Sequence, residues 1–339
     1  MTLKDRLAVL IKLGEHLNGT DEFLEAVMIQ TQYNNAWFTI ENQRKAISAI
    51  ANEMLNEAKL SIWANSYPIK DVAAPKTIGM VLAGNIPLVG FNDVLCTFVA
   101  GHKSLIKLSE KDKFLLPYLI KLLTKLDERC ADYFEITPIL KDFDGVIATG
   151  SNNSARYFDA YFSKYPHIIR RNRNAIAVLS GKETAADFLG LGHDIFQYFG
   201  MGCRNVSKLF VPKDYDFNEL LEVLHDNFKE LVLNSKYKNN FDYNFAVLTL
   251  NSIPFYNNGC LMLLESEAIP SKIASLHFEY YESIDTLNTK LIAQKEQIQC
   301  VATQLRLKDL PHVALGHAQK PTLYDYADGV DTMEFLTGL

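Results

Sequence analysis

The stretch TIGMVLAGNIPLVGFNDVLCTFVAG, Thr77 to Gly101, decides the fold. It is almost uniformly apolar and, as one helix, long enough to cross a bilayer. Its interior argues against that. Pro87 follows Gly84-Asn85-Ile86, and Asn92-Asp93 would sit unpaired at membrane depth, at a cost of about a few kcal/mol each. The stretch is expected to form a buried strand, a loop and a buried helix over 91 to 100, with no membrane span.

Short apolar runs continue downstream at SLIKLS (104 to 109), GVIAT (145 to 149), HIIRR (167 to 171) and AIAVLS (175 to 180), with helical stretches near 113 to 126 and 153 to 162. This rhythm predicts a parallel sheet wrapped by helices. A second α/β unit begins beyond Gly181. It has a helix through Phe199, a strand VSKLFVP (206 to 212), a helix near 218 to 233, strands near FAVLTL and CLMLLE, and a helix near 284 to 297. Upstream, Leu3, Leu7, Leu10, Leu13 and Leu17 repeat at helical spacing, with Thr2 and Asp5 as a capping pair. Ile47, Ile50, Met54, Ala58 and Ile62 mark a second helix over 43 to 63. The expected organisation is a helical segment (1–74), two α/β domains (75–180 and 181–310) and a tail (311–339) that completes the fold or contacts another subunit.

Composition narrows the function classes. The 339 residues carry 34 Lys plus Arg against 40 Asp plus Glu, a net charge of -6, which argues against a nucleic-acid partner. The five cysteines are odd in number and contain no C-x-x-C, so no disulfide framework or thiolate metal site is indicated, and free thiols fit a cytoplasmic location. The N-terminus MTLKDRLAVLIKLGEHL carries charges through its apolar run, unlike a signal peptide. Asp325, Asp328 and Asp331 lack calcium-site spacing, and no metal is expected.

Two parallel α/β units suggest a nucleotide cofactor. Gly200-Met201-Gly202 is rejected as a phosphate loop, because it lacks the third glycine, follows a helix and precedes a strand. Thr149-Gly150-Ser151 lies where a strand ends and a helix begins; it is either an anion site or an ordinary turn capped by Ser151 or Asn152. Asn85 is a turn former or an oxyanion donor. Cys203, between Gly202 and Arg204, is a small apolar residue or a reactive thiolate. Arg170, Arg171 and Arg173 are a solvated surface or a contact for the phosphates of coenzyme A or NADPH. His193 reads as a core or capping histidine, with a Cys203 dyad as the alternative. His277, Phe278, Tyr280 and Tyr281 read as a strand of the core.

The run GNIPLVGFNDVLCTFVAGHKSLIKLSEKD is similar to the aldehyde dehydrogenase superfamily, with its Asn-x-Pro loop, Ala-Gly helix end, strand lysine and Ser-Glu. With YFGMGCRNVSKLFVP and AQKPTLYDYADGVDTMEFL, the chain resembles more narrowly the LuxC-type acyl-CoA reductases. The resemblance implies an aldehyde dehydrogenase-like fold: two parallel doubly wound α/β domains with N-terminal helices, a nucleotide cofactor-binding domain followed by a catalytic one. It implies Cys203 as nucleophile on an acyl-CoA thioester, with Asn85 and the Cys203 N–H as oxyanion hole. Lys107 and Ser109 would lie near the adenosine ribose, and Thr149, Gly150 and Ser151 near the pyrophosphate of NADPH. An acyl-activating or acyl-transferring partner enzyme and a homo-oligomer are further implications. Two positions depart from the pattern: Ala155 replaces a glycine and Met201 a glutamine.

Hydrolytic aldehyde dehydrogenases carry a water-activating glutamate well before the cysteine. The corresponding stretch here, Ala160 to Lys182, contains no Asp or Glu, so attack by water on an acyl-enzyme should be slow. Glu265, Glu267 or Asp194 is the alternative base. The expected activity is reduction of fatty acyl-CoA to fatty aldehyde. The alternatives are an NAD(P)-dependent aldehyde dehydrogenase producing acids and a catalytically silent scaffold.

Overall fold

The computed structural model describes residues 1–71 and 74–339; residues 72 and 73, at the end of the expected helical segment, lie outside the described residues. The chain forms two compact units, Met1–Asn172 with Pro321–Leu339, and Arg173–Lys320.

The first unit opens with α1 (Leu3–Leu17), α2 (Glu22–Asn34), α3 (Ile40–Ala49) and α4 (Glu57–Asn65). Thr2 and Asp5 close a capping box on α1. The expected helix over 43 to 63 is broken, because a π-helical turn, Ile50–Met54, follows α3 and Asn56 then caps α4 through the Lys59 N–H. Both pieces bury apolar residues in one core, but the break shifts the buried face: α4 buries Leu60, Trp63 and Ala64, whereas Ala58 and Ile62 of the expected face are exposed.

There follow β1 (Thr77–Val81), α5 (Phe91–Ala100), β2 (Lys103–Lys107), α6 (Leu115–Leu126), β3 (Phe134–Ile136), β4 (Gly145–Thr149), α7 (Asn152–Phe162) and β5 (His167–Arg170). The deciding stretch is thus strand, loop and helix. Its hydropathy is continuous because α5 is buried on nearly all sides, and Gly101 ends the helix at φ 87°. Among the described residues, no helix is long and apolar enough to cross a membrane. The sheet is parallel in the order β3-β2-β1-β4-β5. The chain starts at β1, runs to one edge and returns to β4 on the other side of β1. The loops after β1 and β4 therefore diverge at a topological switch point, where such sheets bind ligands.

The second unit contains β6 (Asn174–Val178), α8 (Ala185–Phe196), β7 (Val206–Pro212), α9 (Asn218–Phe228), α10 (Ser235–Leu250), β8 (Tyr256–Asn257), β9 (Met262–Glu265), β10 (Ser275–Tyr281), α11 (Ile284–Ala293), β11 (Ile298–Thr303) and β12 (His312–Val313). Its sheet order is β12-β11-β6-β7-β10-β9-β8, parallel except for the β8–β9 pair. FAVLTL is not a strand. It ends α10, whose buried Tyr237, Phe241, Asn244 and Leu248 recur at helical spacing. Phe278 of β10 is buried against Phe217, with ring centroids 4.7 Å apart.

The division between the units falls at 172/173 rather than at 180/181, because β6 pairs with β7 and β11. Local βαβ rhythm does not say which sheet receives a strand. From Pro321 the tail returns to the first unit, where α12 (Thr332–Thr337) packs on α5. Trp63 Nε1 donates to the Tyr326 hydroxyl at 2.9 Å, and Tyr67 donates to Asp331 at 2.8 Å. The tail from Pro321 thus completes the first unit's fold.

Candidate functional site

The candidate residues fall in both units. In the first, Val81 aligns with Lys107 on one side and Ala148 on the other, so Lys107, the loop after β1 and Thr149-Gly150-Ser151 gather at the carboxyl edge of one sheet. A Cβ on Gly84 would lie 2.3 Å from Ser109 Oγ, so the Asn85 loop rests directly on the Ser109 turn. Past Pro87, Leu88 adopts φ 56°, a costly conformation for a branched side chain, and donates its N–H to Asp112 Oδ2 at 2.7 Å. Burial pushes Asp112 up to about 6, with the Leu88 hydrogen bond working against that shift. Asn85 is half-buried on this loop, and Lys107 is exposed.

Ser151 caps α7, its hydroxyl accepting from Ser154 N at 3.2 Å. The Asn152 side chain, the alternative cap, lies outside the described residues. A Cβ on Gly150 would meet Ser154 and Phe158 at 2.8 Å, which explains the glycine. Ala155 is fully buried, so its extra methyl points into the unit. A cation at Lys107, a helix start at Ser151 and a switch point between them fit a dinucleotide: Lys107 and Ser109 would hold the ribose end, and Thr149, Gly150 and Ser151 the pyrophosphate.

Each of the three arginines meets an acidic side chain. Arg170 is 5% exposed, pairs with Asp93 at 2.5 Å and donates to Thr332 Oγ1 at 2.9 Å, so its charge is committed inside the first unit. Burial would lower Arg170, but the Asp93 carboxylate outweighs it and holds the guanidinium charged. Arg171 is exposed and paired with Asp159 at 2.8 Å. Arg173 belongs to the second unit and meets Glu296 at 3.4 Å. The expectation of a phosphate contact does not hold for Arg170, because burying a charge demands an internal partner and leaves none for a ligand.

In the second unit, Cys203 lies in the turn between α8 and β7, at the amino edge of the sheet. It is half-buried, whereas Cys96, Cys130, Cys260 and Cys300 are buried. The approach to it is left-handed at Tyr198 (φ 54°), Phe199 (φ 57°) and Gly200 (φ 77°). Asp194 is fully buried, accepts from the N–H groups of Gly316 (2.7 Å) and Ala318 (3.0 Å), and is pushed up by burial to about 6. That carboxylate anchors a loop. Glu183, the first acid beyond the acid-free stretch, closes the turn after β6 by accepting from Ser180 N (2.6 Å) and Gly181 N (3.1 Å), at the opposite end of the sheet from Cys203. Glu265 and Glu267 are exposed at the end of β9. His193 is exposed, its ring edge-on to Phe228 at 5.3 Å. Among the described residues no group of acidic, His and Cys side chains could hold a metal; Asp325 caps Thr322, Asp328 accepts from Arg171 N, and Asp331 caps α12.

Sequence reasoning passed over Asp112 and Asn205, and it used Asp93 only to argue against a membrane span. Asp93 sits within the deciding stretch, where an acid among apolar residues was the available signal.

Two α/β units, each built on a largely parallel sheet, define an aldehyde dehydrogenase-like fold. Aldehyde dehydrogenase 21 from Physcomitrella patens, solved with succinate, is similar over all of this chain and 84% of its own, at TM-score 0.70 and 13% identity. The NAD+ complex of an aldehyde dehydrogenase from Bacillus cereus is similar over 89% of this chain and 72% of its own, at TM-score 0.64 and 13% identity. KauB, an aldehyde dehydrogenase from Pseudomonas aeruginosa, covers the same shares at TM-score 0.63 and 12% identity. More narrowly, the acyl-CoA reductase (LuxC) family profile matches residues 24–236, and the chain belongs to that family. No curated protein matches the sequence.

Proposed function

We propose that the protein reduces fatty acyl-CoA to fatty aldehyde through an acyl-enzyme on Cys203. The observation that carries this reading is the half-buried Cys203 among four buried cysteines, within the family-matched segment. The Cys203 thiolate attacks the thioester carbonyl and expels the coenzyme A thiolate, leaving an acyl thioester on the protein. Asn85 and the Cys203 N–H would steady the oxyanion of each tetrahedral stage. Bound NADPH would supply a hydride, and the acyl thioester on Cys203 would pass through a thiohemiacetal that collapses to aldehyde and free thiolate. Lys107, Ser109, Thr149, Gly150 and Ser151 would orient that cofactor. The absence of acids from Ala160 to Lys182 and the engagement of Asp194 by backbone N–H groups support reduction over hydrolysis.

The likeness to aldehyde dehydrogenases favours a second reading, NAD(P)-dependent oxidation of aldehyde to acid. Product analysis separates the two: aldehyde from acyl-CoA with NADPH or NADH, or acid from aldehyde without coenzyme A. Intact mass should show an acyl adduct on wild type and none on Cys203→Ala. Aldehyde formation that survives Cys203→Ala would sink the mechanism. A cytoplasmic homo-oligomer working beside an acyl-activating or acyl-transferring enzyme is the setting this reading proposes.

A further inference from the structure

Asn205, two residues beyond Cys203, is 1% exposed, and all of its amide is engaged. Its Oδ1 accepts the Gly202 N–H at 2.7 Å. Its Nδ2 faces three carbonyls, Asp194 O at 3.1 Å, Ile195 O at 3.2 Å and Gln197 O at 2.7 Å. The first two belong to the last turn of α8, whose carbonyls have no partner inside the helix. The Asn205 backbone N–H returns to Gly202 O at 3.1 Å, and its carbonyl accepts Ala175 N from β6 at 3.2 Å. Gly202 and Asn205 thus bond each other in both directions, closing a ring around Cys203 and Arg204. One amide ties this ring to the end of α8, while the main chain ties it to the sheet.

That closure answers a physical problem. Two consecutive non-glycine residues, Tyr198 and Phe199, are left-handed, and such residues persist at about 1–3 kcal/mol each only where their surroundings over-determine them. Asn205 supplies the constraint just downstream. Resting on the thioester-reductase reading, we propose that Asn205 is the positioning residue of the nucleophile: its side chain fixes the Met201–Gly202 peptide through the Gly202 N–H while its main-chain N–H holds the Gly202 carbonyl, so that the turn sets both the thiol and the N–H that would face the substrate carbonyl. Asn205 touches no substrate and acts through the turn.

The test compares two reactions of one thiol in wild type, Asn205→Ala and Asn205→Asp, the last nearly isosteric but without the amide donor that faces the three carbonyls. Acylation by a fatty acyl-CoA, followed by intact mass, requires a fixed geometry, whereas alkylation by iodoacetamide requires only an accessible thiolate. In either variant that melts cooperatively, acylation should fall about 10- to 100-fold while alkylation stays close to wild type. Wild-type acylation rates in a folded variant overturn the assignment. Parallel loss of both reactions, or failure of both variants to fold, also overturns it by making Asn205 a general support. An absence of acylation in wild type overturns the thioester reading and this role together, whereas acylation unchanged by the substitutions overturns this role alone.

Discussion

Asn85 and Cys203 carry the chemistry proposed here, and each lies within a few residues of backbone that ordinary residues avoid. Asn85 precedes the left-handed Leu88, and Cys203 follows the left-handed run Tyr198 to Gly200. Strain of this kind is retained where a side chain must be aimed. If Asn85 donates to the developing oxyanion, Asn85→Ala should lower kcat by about 100- to 1000-fold with little change in KM for acyl-CoA. Steady-state kinetics at saturating NADPH checks this, and an unchanged kcat would reduce Asn85 to a turn former. Asn85, Gly150 and Cys203 could be proposed from the sequence because glycine punctuates each of their loops and the family resemblance covers all three. Asp112 and Asn205 were not legible. Their roles depend on which N–H and carbonyl groups the folded chain brings to them, and no spacing rule encodes that.

The elements most readable from sequence are those whose burial is simple. GVIAT and VSKLFVP coincide with β4 and β7, since apolar runs bounded by turn residues mark strands buried on both faces. β11 escaped notice because Gln299 and Thr303 are buried along with its apolar residues, leaving neither an alternation nor a clean apolar run. FAVLTL misled because its last residues read as a strand, while the helical face that buries Tyr237 and Phe241 begins two turns earlier. The basic run misled at Arg170 for another reason: adjacent charges in sequence differ in burial, and Arg170 is buried with an internal partner while Arg171 is exposed. Arg170 joins α5 to the tail through Asp93 and Thr332, so Arg170→Met leaves the Asp93 carboxylate buried and unpaired. That substitution should cost about 3–5 kcal/mol of stability, whereas Arg171→Ala at an exposed pair should cost about 1 kcal/mol or less. Urea denaturation measures both, and equal effects would refute the separation.

Across the whole molecule, each unit keeps one buried acid that is held high: Asp112 in the first and Asp194 in the second, both pushed up to about 6 by burial. Asp21 opposes them. Burial alone would raise it, but hydrogen bonds from Tyr118 and His16 and from the N–H groups of Leu24 and Phe23 hold it down at about 2. The signs follow from proton linkage. A carboxyl raised in the folded state binds its proton more tightly there than in the unfolded chain. Its contribution to stability is therefore complete below about pH 4 and is lost as pH rises through about 6. Asp21 contributes above about pH 4, and that contribution is lost as pH falls toward 2. Asp112 offers the cleaner test, because Oδ2 accepts the Leu88 N–H while Oδ1 is buried without a partner. Asp112→Asn keeps an acceptor for Leu88 and removes the ionisable proton. Between pH 4 and pH 7.5 the stability of this variant should rise relative to wild type by up to roughly 3 kcal/mol, the free energy that corresponds to holding the carboxyl at about 6 instead of 3.8. Paired urea titrations across that range supply the measurement. A difference between variant and wild type that does not change with pH would mean that Asp112 titrates alike in the folded and unfolded chains, and that the Asn85 loop rests on a carboxylate already well solvated.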